Sequence, residues 1–265
     1  MTRPRVAVSS GLLGEPGGHS RERFLYGPLD PYVDWVPIYP ETKAGLGSLD
    51  VDGYVFKAVP VSGPPLERGV FAADGTDARP LLPVEEEGRL HGAHPLLPVQ
   101  DEGRLHDAQL RERFVERLFA HARLREFLDS DWRPHDLVAF HARHKMQLLA
   151  HDPAGYRETG RAVAQAGVRP SAELAAAYAD RFRAALVRKA TVGKNVNVLH
   201  HCMGMIALAP GRRAQLLEAI DVYRAGLVPL CVPAALLLLD ARGEAAAYVR
   251  AQSYFSPYPD DLRPA

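Results

Sequence analysis

The chain has 265 residues, with 32 Lys and Arg against 32 Asp and Glu, and is 47% hydrophobic and 24% charged. Those proportions are those of a globular protein and exclude a disordered or fibrous chain. Two cysteines, Cys202 and Cys231, exclude a disulfide framework and a zinc or iron–sulfur site built from cysteine alone.

The zero net charge is unevenly spread. Residues 71–107 carry 3 basic and 8 acidic groups, whereas residues 108–265 carry 22 and 16. Between residues 181 and 217 there is no carboxylate, but there are seven basic side chains: Arg181, Arg183, Arg188, Lys189, Lys194, Arg212 and Arg213. Such a stretch implies a local positive potential and an anionic partner. Residues 1–5 lead into a short Val/Ala segment without an apolar signal core, and the longest leucine run, Ala234–Leu239, is too short for a bilayer. A cytoplasmic protein that avoids membranes is expected.

Three short β-rich runs open the chain: Arg5–Ser9, Val33–Ile38 and Tyr54–Ala58, with room for two helical turns at Ser20–Tyr26. A tandem duplication follows. Residues 80–94 and 95–109 agree at 11 of 15 positions, and two short Pro/Gly-containing copies read as a duplicated linker rather than a solenoid. The second copy ends in Asp107, a good N-cap.

Helical periodicity begins at Ala108. Leu110, Phe114, Leu118, Leu124 and Phe127 share one broad face of a helix reaching Leu128. A second helix is predicted over 136–150. Asp152-Pro153 opens a third, Ser171 a fourth ending near Lys189, and the loop at Gly193 leads to a fifth over 195–208. Pro210-Gly211 precedes a sixth that Gly226 terminates, and one or two short helices complete an all-α bundle.

Polar groups recur at helical spacing in this half. His141, His144 and Lys145 stand at i, i+3 and i+4, with His151 a further turn on and in line with His144. His-x-x-His lacks the glutamate of a zinc-protease helix and needs a third ligand, so imidazoles packed between helices are the better reading than a metal. Lys189, Thr191, Gly193 and Lys194 sit where a helix begins, and exposed amides with nearby Lys and Thr suit an anion. No Walker loop is present. Asn195 and Asn197 are poor helix-interior residues, which points to a cap, a buried network or a ligand contact. His200 and His201 lie about 100° apart on the helix, so only one can face a given partner. No serine, threonine or cysteine nucleophile stands in a catalytic setting, which leaves open whether any reaction is catalysed.

The segments Phe140–Lys145, Ala150-His151, Asn195–His200 and Tyr254–Pro259 resemble the YbgA-like bacterial family, whose C-terminal domain is known as domain of unknown function 1722. The N-terminal segments Val8–Gly14, Gly17–His19, Tyr39–Glu41, Gly45–Gly47 and Asp52–Lys57 are similar to thiouracil desulfidases. That second resemblance implies a [4Fe–4S] cluster on three cysteines, but those positions fall at Gly11, Tyr39 and Ser62–Pro65, where no thiolate exists. Glu41 stands at the family's acidic position without a cluster to serve. The resemblance therefore implies a shortened, cluster-free N-terminal domain.

Taken together, the sequence predicts an α+β chain: a small truncated α/β layer at 1–75, a duplicated linker at 76–107, and an all-α helical bundle at 108–265. His141, His144, Lys145, His151, Lys189, Thr191, Lys194, Asn195, Asn197, His200 and His201 are expected to line a pocket for an anionic small molecule such as a nucleotide or another phosphate-bearing ligand, with no cofactor and no metal. The alternative is a non-enzymatic module that docks nucleic-acid backbone or an acidic protein on the basic stretch. Residual desulfidase-like chemistry comes third.

Overall fold

The computed structural model describes residues 2–9, 25–38, 51–56, 69–71, 80–83, 99–169, 171–239 and 242–263. The chain divides into two compact units, Met1–Ser130 with Tyr258–Ala265, and Asp131–Pro257. Glu41, the glycine-rich motifs at 11–19 and 45–47, and the positions Gly11, Tyr39 and Ser62–Pro65 lie outside the described residues, as does most of the helix expected at Ser20–Tyr26.

Among the described residues the first unit has six strands: β1 (Arg5–Ser9), β2 (Asp34–Ile38), β3 (Gly53–Phe56), β4 (Gly69–Phe71), β5 (Pro80–Pro83) and β6 (Val99–Asp101). Four form a parallel sheet in the order β2-β1-β3-β6. The registers set Val6 beside both Trp35 and Gly53, and Tyr54 beside Val99. Val6, Ala7 and Val8 are all fully buried. A continuous apolar run is what a parallel strand covered on both faces requires. Pro37 is tolerated because β2 lies at the sheet edge. β4 and β5 make a separate antiparallel pair.

The small α/β layer and the helical domain expected from the sequence are both present, but the junction between them differs. The second repeat is not a linker. Its Val99–Asp101 forms the fourth strand, its Glu102–His106 a 3-10 turn, and its Leu105 is buried with Val6, Val8 and Val55. Asp107 then caps α1 (Ala108–Leu128), its carboxylate accepting the Leu110 N–H at 2.9 Å. The apolar face of α1, with Phe114, Val115, Leu118 and Phe119, packs into the sheet's core. This helix therefore belongs with the sheet rather than opening the bundle at 108.

An ion-pair clasp fixes the far end of α1. Asp52, 2% exposed, receives Arg125 through Nε at 3.1 Å and Nη2 at 3.0 Å, and also accepts the Arg5 N–H at 2.8 Å. Arg3 bonds Asp34 and the carbonyls of Pro31 and Val33. These groups border an open cleft of about 500 Å³ at the strand starts, lined by Thr2, Arg3, Arg5, Asp34, Arg125, Glu126, Asp129 and Ser130. Arg3 pairs there with Asp34 and Arg125 with Asp129, and the Thr2 hydroxyl donates to the Glu126 carboxylate.

The second unit is all helical: α2 (Pro134–His151), α3 (Pro153–Val163), α4 (Ser171–Val187), α5 (Val192–Met205), α6 (Pro210–Arg224), α7 (Cys231–Leu239) and α8 (Glu244–Arg250). Asp152 caps α3 ahead of Pro153, and Thr191 caps α5. That cap starts α5 three residues earlier than periodicity suggests. Gly226, at φ +77°, ends α6 as expected. The core joins Met146 and Ala150 of α2 to Val196, Leu199, Cys202 and Met203 of α5, Ile220 of α6 and Val249 of α8. No described helix is long and apolar enough to cross a membrane.

Candidate functional site

The eleven residues singled out by the sequence all lie in the helical unit. Their contacts sort them into an aromatic layer around His141 and His144 with Lys145 on the next turn, a carbonyl-capping group around Lys194, a buried hydroxyl–amide network at Asn195, and an exposed stripe on α5.

In the aromatic layer, His144 is 1% exposed, stacks on Phe140 with centroids 4.2 Å apart, and meets the edge of Phe182. Its Nδ1–H donates to the Phe140 carbonyl at 2.8 Å. It is a packed core residue. His141, on the same helix, is half-buried. Its Nδ1 lies 3.3 Å from the hydroxyl of Tyr178, and its ring runs nearly parallel to Tyr156. Tyr178 is fully buried, and with its hydroxyl donating to Nδ1 the neutral ring carries its proton on Nε2. Burial, reinforced by the charge of Lys145, lowers His141 to about 4. It is therefore neutral at physiological pH. A Cβ at Gly160 would lie 3.9 Å from that Nε2.

Lys145 follows His141 by one turn on the same face of α2. It is half-buried, and its ammonium sits 4.9 Å from the centroid of Tyr248. No carboxylate among the described residues reaches it; a cation–π contact takes that place. Tyr248 and Gln252 anchor the same turn, since the Tyr248 hydroxyl and the Gln252 amide both donate to the Ala142 carbonyl.

Lys194 is committed elsewhere. Its ammonium donates to the carbonyls of His151 at 2.6 Å and Lys189 at 3.1 Å, which closes the C-terminus of α2 onto the start of α5. His151 is buried, and its Nδ1–H donates to the Arg188 carbonyl at 2.6 Å. Thr191 accepts the Lys194 N–H in its cap. Lys189 is exposed, and Arg188 pairs with Asp152 at 3.3 Å. Three basic groups of the acid-free stretch are thus satisfied locally, since Arg181 also bonds the Ala177 carbonyl.

Asn195 is 7% exposed and links two tyrosines: its amide donates to the Tyr223 hydroxyl at 3.1 Å, and its oxygen accepts from Tyr254 at 3.0 Å. Asn197 and His201 are exposed, one turn apart, and His200 is half-exposed. Tyr156, Tyr178, Tyr223 and Tyr248 complete these groups, although sequence reasoning passed over them. Their only signal was a hydroxyl on an otherwise apolar helix face. Cys202 is buried beside the α2–α5 contact, and burial raises its thiol to about 12. No three His, Cys, Asp or Glu side chains among the described residues come together in a metal-binding arrangement. The two thiols both fall in the helical unit, so the first unit has none with which to hold an iron–sulfur cluster.

Residues 145–259 match the model of a family described as protein of unknown function, DUF1722. The match begins at Lys145 and takes in Asn195, Tyr223, Tyr248 and Tyr254. His141 lies just outside it. Neither a curated protein nor a solved structure matches the chain.

Proposed function

We propose that the DUF1722 helical unit binds a small anionic ligand, carboxylate or phosphate, between Lys145 and the Nε2–H of His141. The observation that carries this reading is a half-buried ammonium that no carboxylate of the described residues reaches, one helical turn from a neutral imidazole whose Nε2 is the donor when Tyr178 donates to Nδ1. A buried ammonium that lacks a counter-charge is expensive to maintain, and an incoming anion relieves that cost. Tyr248 and Tyr156 border the two donors and favour a ligand with a planar portion. Lys194 and Arg188 are spent on loop carbonyls and on Asp152. This narrows the expected eleven-residue pocket to α2 and its immediate neighbours.

The likeness to the YbgA-like family and to desulfidases enters here only as background to a binding role, with the N-terminal layer read as a cluster-free relative. Docking of nucleic-acid backbone is the competing reading. It requires exposed, unpaired cations, and binding by such cations falls steeply with salt.

The test is a thermal-shift series on the full chain with inorganic phosphate, citrate and nucleoside monophosphates. A ligand at one hundred times its Kd stabilises by about 2.7 kcal/mol. Wild type should melt higher with at least one of these anions, and Lys145→Met should not. Equal shifts in both proteins, or none in either, contradict the reading.

A further inference from the structure

We infer that α7 is a dimerisation surface and that a second copy of this chain covers it. No charged side chain stands between Arg224 and Asp240, so α7 (Cys231–Leu239) is apolar on every side. Pro233 and Leu237 are buried, and Leu237 belongs to the helical core. The other face carries Val232, Ala235, Leu236 and Leu239 at i, i+3, i+4 and i+7, which makes them one stripe. Val232 is 37% exposed and Leu239 67%, with Ala235 exposed and Leu236 half-buried between them. Leu227, in the loop that leads into α7, is 76% exposed. A helix that is apolar all round belongs in an interior, and a contiguous apolar patch left in water marks an interaction surface.

Length and charge select the occupant. A helix of 9 residues is far short of the roughly 20 that span a bilayer. An anionic lipid surface is not matched either, because both ends of the stretch carry both signs. Asp221 and Arg224 precede it, Arg242 and Glu244 follow it, and all four are exposed. A second copy matches. A two-fold axis through the middle of the stripe runs the two helices antiparallel, so that Val232 meets Leu239 of the second copy. The small Ala235 at the axis lets the helices approach. The same axis brings Arg224 towards Glu244 of the second copy, and Asp221 towards its Arg242. Within one chain Arg224 and Asp221 pair at 3.1 Å with both side chains more than half exposed, so exchanging partners costs little. The stripe is short beside the roughly 1,200–2,000 Å² of a standard interface, which makes the dimer concentration-dependent.

Sedimentation velocity of the full chain from about 1 to about 200 µM tests this. The mass should rise from 29.1 kDa towards twice that value. Leu239→Glu, at an exposed position, should melt like wild type and weaken the dimer at least tenfold. Arg224→Glu should weaken it as well, and Arg224→Glu with Glu244→Arg should restore it. Cross-linking gives a second readout. Cys231 lies 4.5 residues from the axis, so the two copies of it stand about 16 Å apart, from a 1.5 Å rise per residue and an interaxial distance of 8–10 Å. A bismaleimide with a six-carbon spacer should therefore give a covalent dimer in wild type and far less in Leu239→Glu. A monomer at every concentration, an undiminished dimer in Leu239→Glu, or failure of the charge exchange to restore association overturns the proposal. So does a monomer that sediments with phosphatidylglycerol vesicles in wild type and not in Leu239→Glu, which would give the stripe to lipid instead.

Discussion

Asp52→Ala is the most demanding perturbation of the first unit. The Asp52 carboxylate is 2% exposed and serves three donors: Arg125 Nε, Arg125 Nη2 and the Arg5 N–H. Removing one partner of a buried pair costs about 3–5 kcal/mol, because the other charge stays behind without compensation. Here Arg125 is 19% exposed and keeps Asp129 at 3.9 Å, which offsets part of that loss. The stranded Arg5 N–H adds about 1–3 kcal/mol in the other direction. The net loss should be about 3 kcal/mol, or about 10 °C in Tm for a unit of this size. Urea unfolding of wild type, Asp52→Ala, Arg125→Leu and the double variant forms a cycle that isolates the pair. The double variant should lose less than the sum of the singles, by at least about 1 kcal/mol. Additive losses, or a loss under about 1 kcal/mol for Asp52→Ala, would refute the clasp.

Three further outcomes are expected. His141 sits at about 4 in the folded chain, below its ordinary 6.5, so the unfolded chain takes up that proton first as pH falls. The stability present above pH 6.5 should therefore decline between 6.5 and 4, by roughly 2–3 kcal/mol in urea titrations, and His141→Gln should remove that part of the slope. Of the two thiols, exposed Cys231 should react with a maleimide in native protein, while buried Cys202 reacts only on unfolding, as peptide mapping will show. Gly155→Ala puts a methyl 2.9 Å from the Ala185 Cβ and 3.0 Å from an Asp152 carboxylate oxygen, and chemical denaturation should show a loss of about 1–3 kcal/mol.

Local signals in the sequence were legible where one residue decides the geometry. Asp107 and Asp152 cap the helices they were expected to cap, and Gly226 ends α6 in the left-handed region. Partnerships across the chain were not legible. The stripe of Phe114 and Leu118 shows that α1 has a face to bury, but periodicity cannot say against what, and the sheet proved to be the partner. The repeat reads as a linker because proline and glycine interrupt it, yet an edge strand needs only three residues of extended backbone. At the site, spacing placed His141 and Lys145 together on one turn. It could not show that Lys194 spends its ammonium on two carbonyls, since a long flexible side chain reaches groups far away in sequence. Nor could it separate His141 from His144. That difference rests on Tyr178 and Phe140, which meet the two rings from different sides.

The anion site is tested most directly by a ¹⁵N NMR titration of the His141 imidazole in the full chain, with and without inorganic phosphate. An anion held against Nε2–H favours the protonated ring, so phosphate should raise the His141 pKa from about 4 in wild type and leave Lys145→Met unmoved. A His141 titration indifferent to phosphate, or one that responds equally in Lys145→Met, would contradict the account.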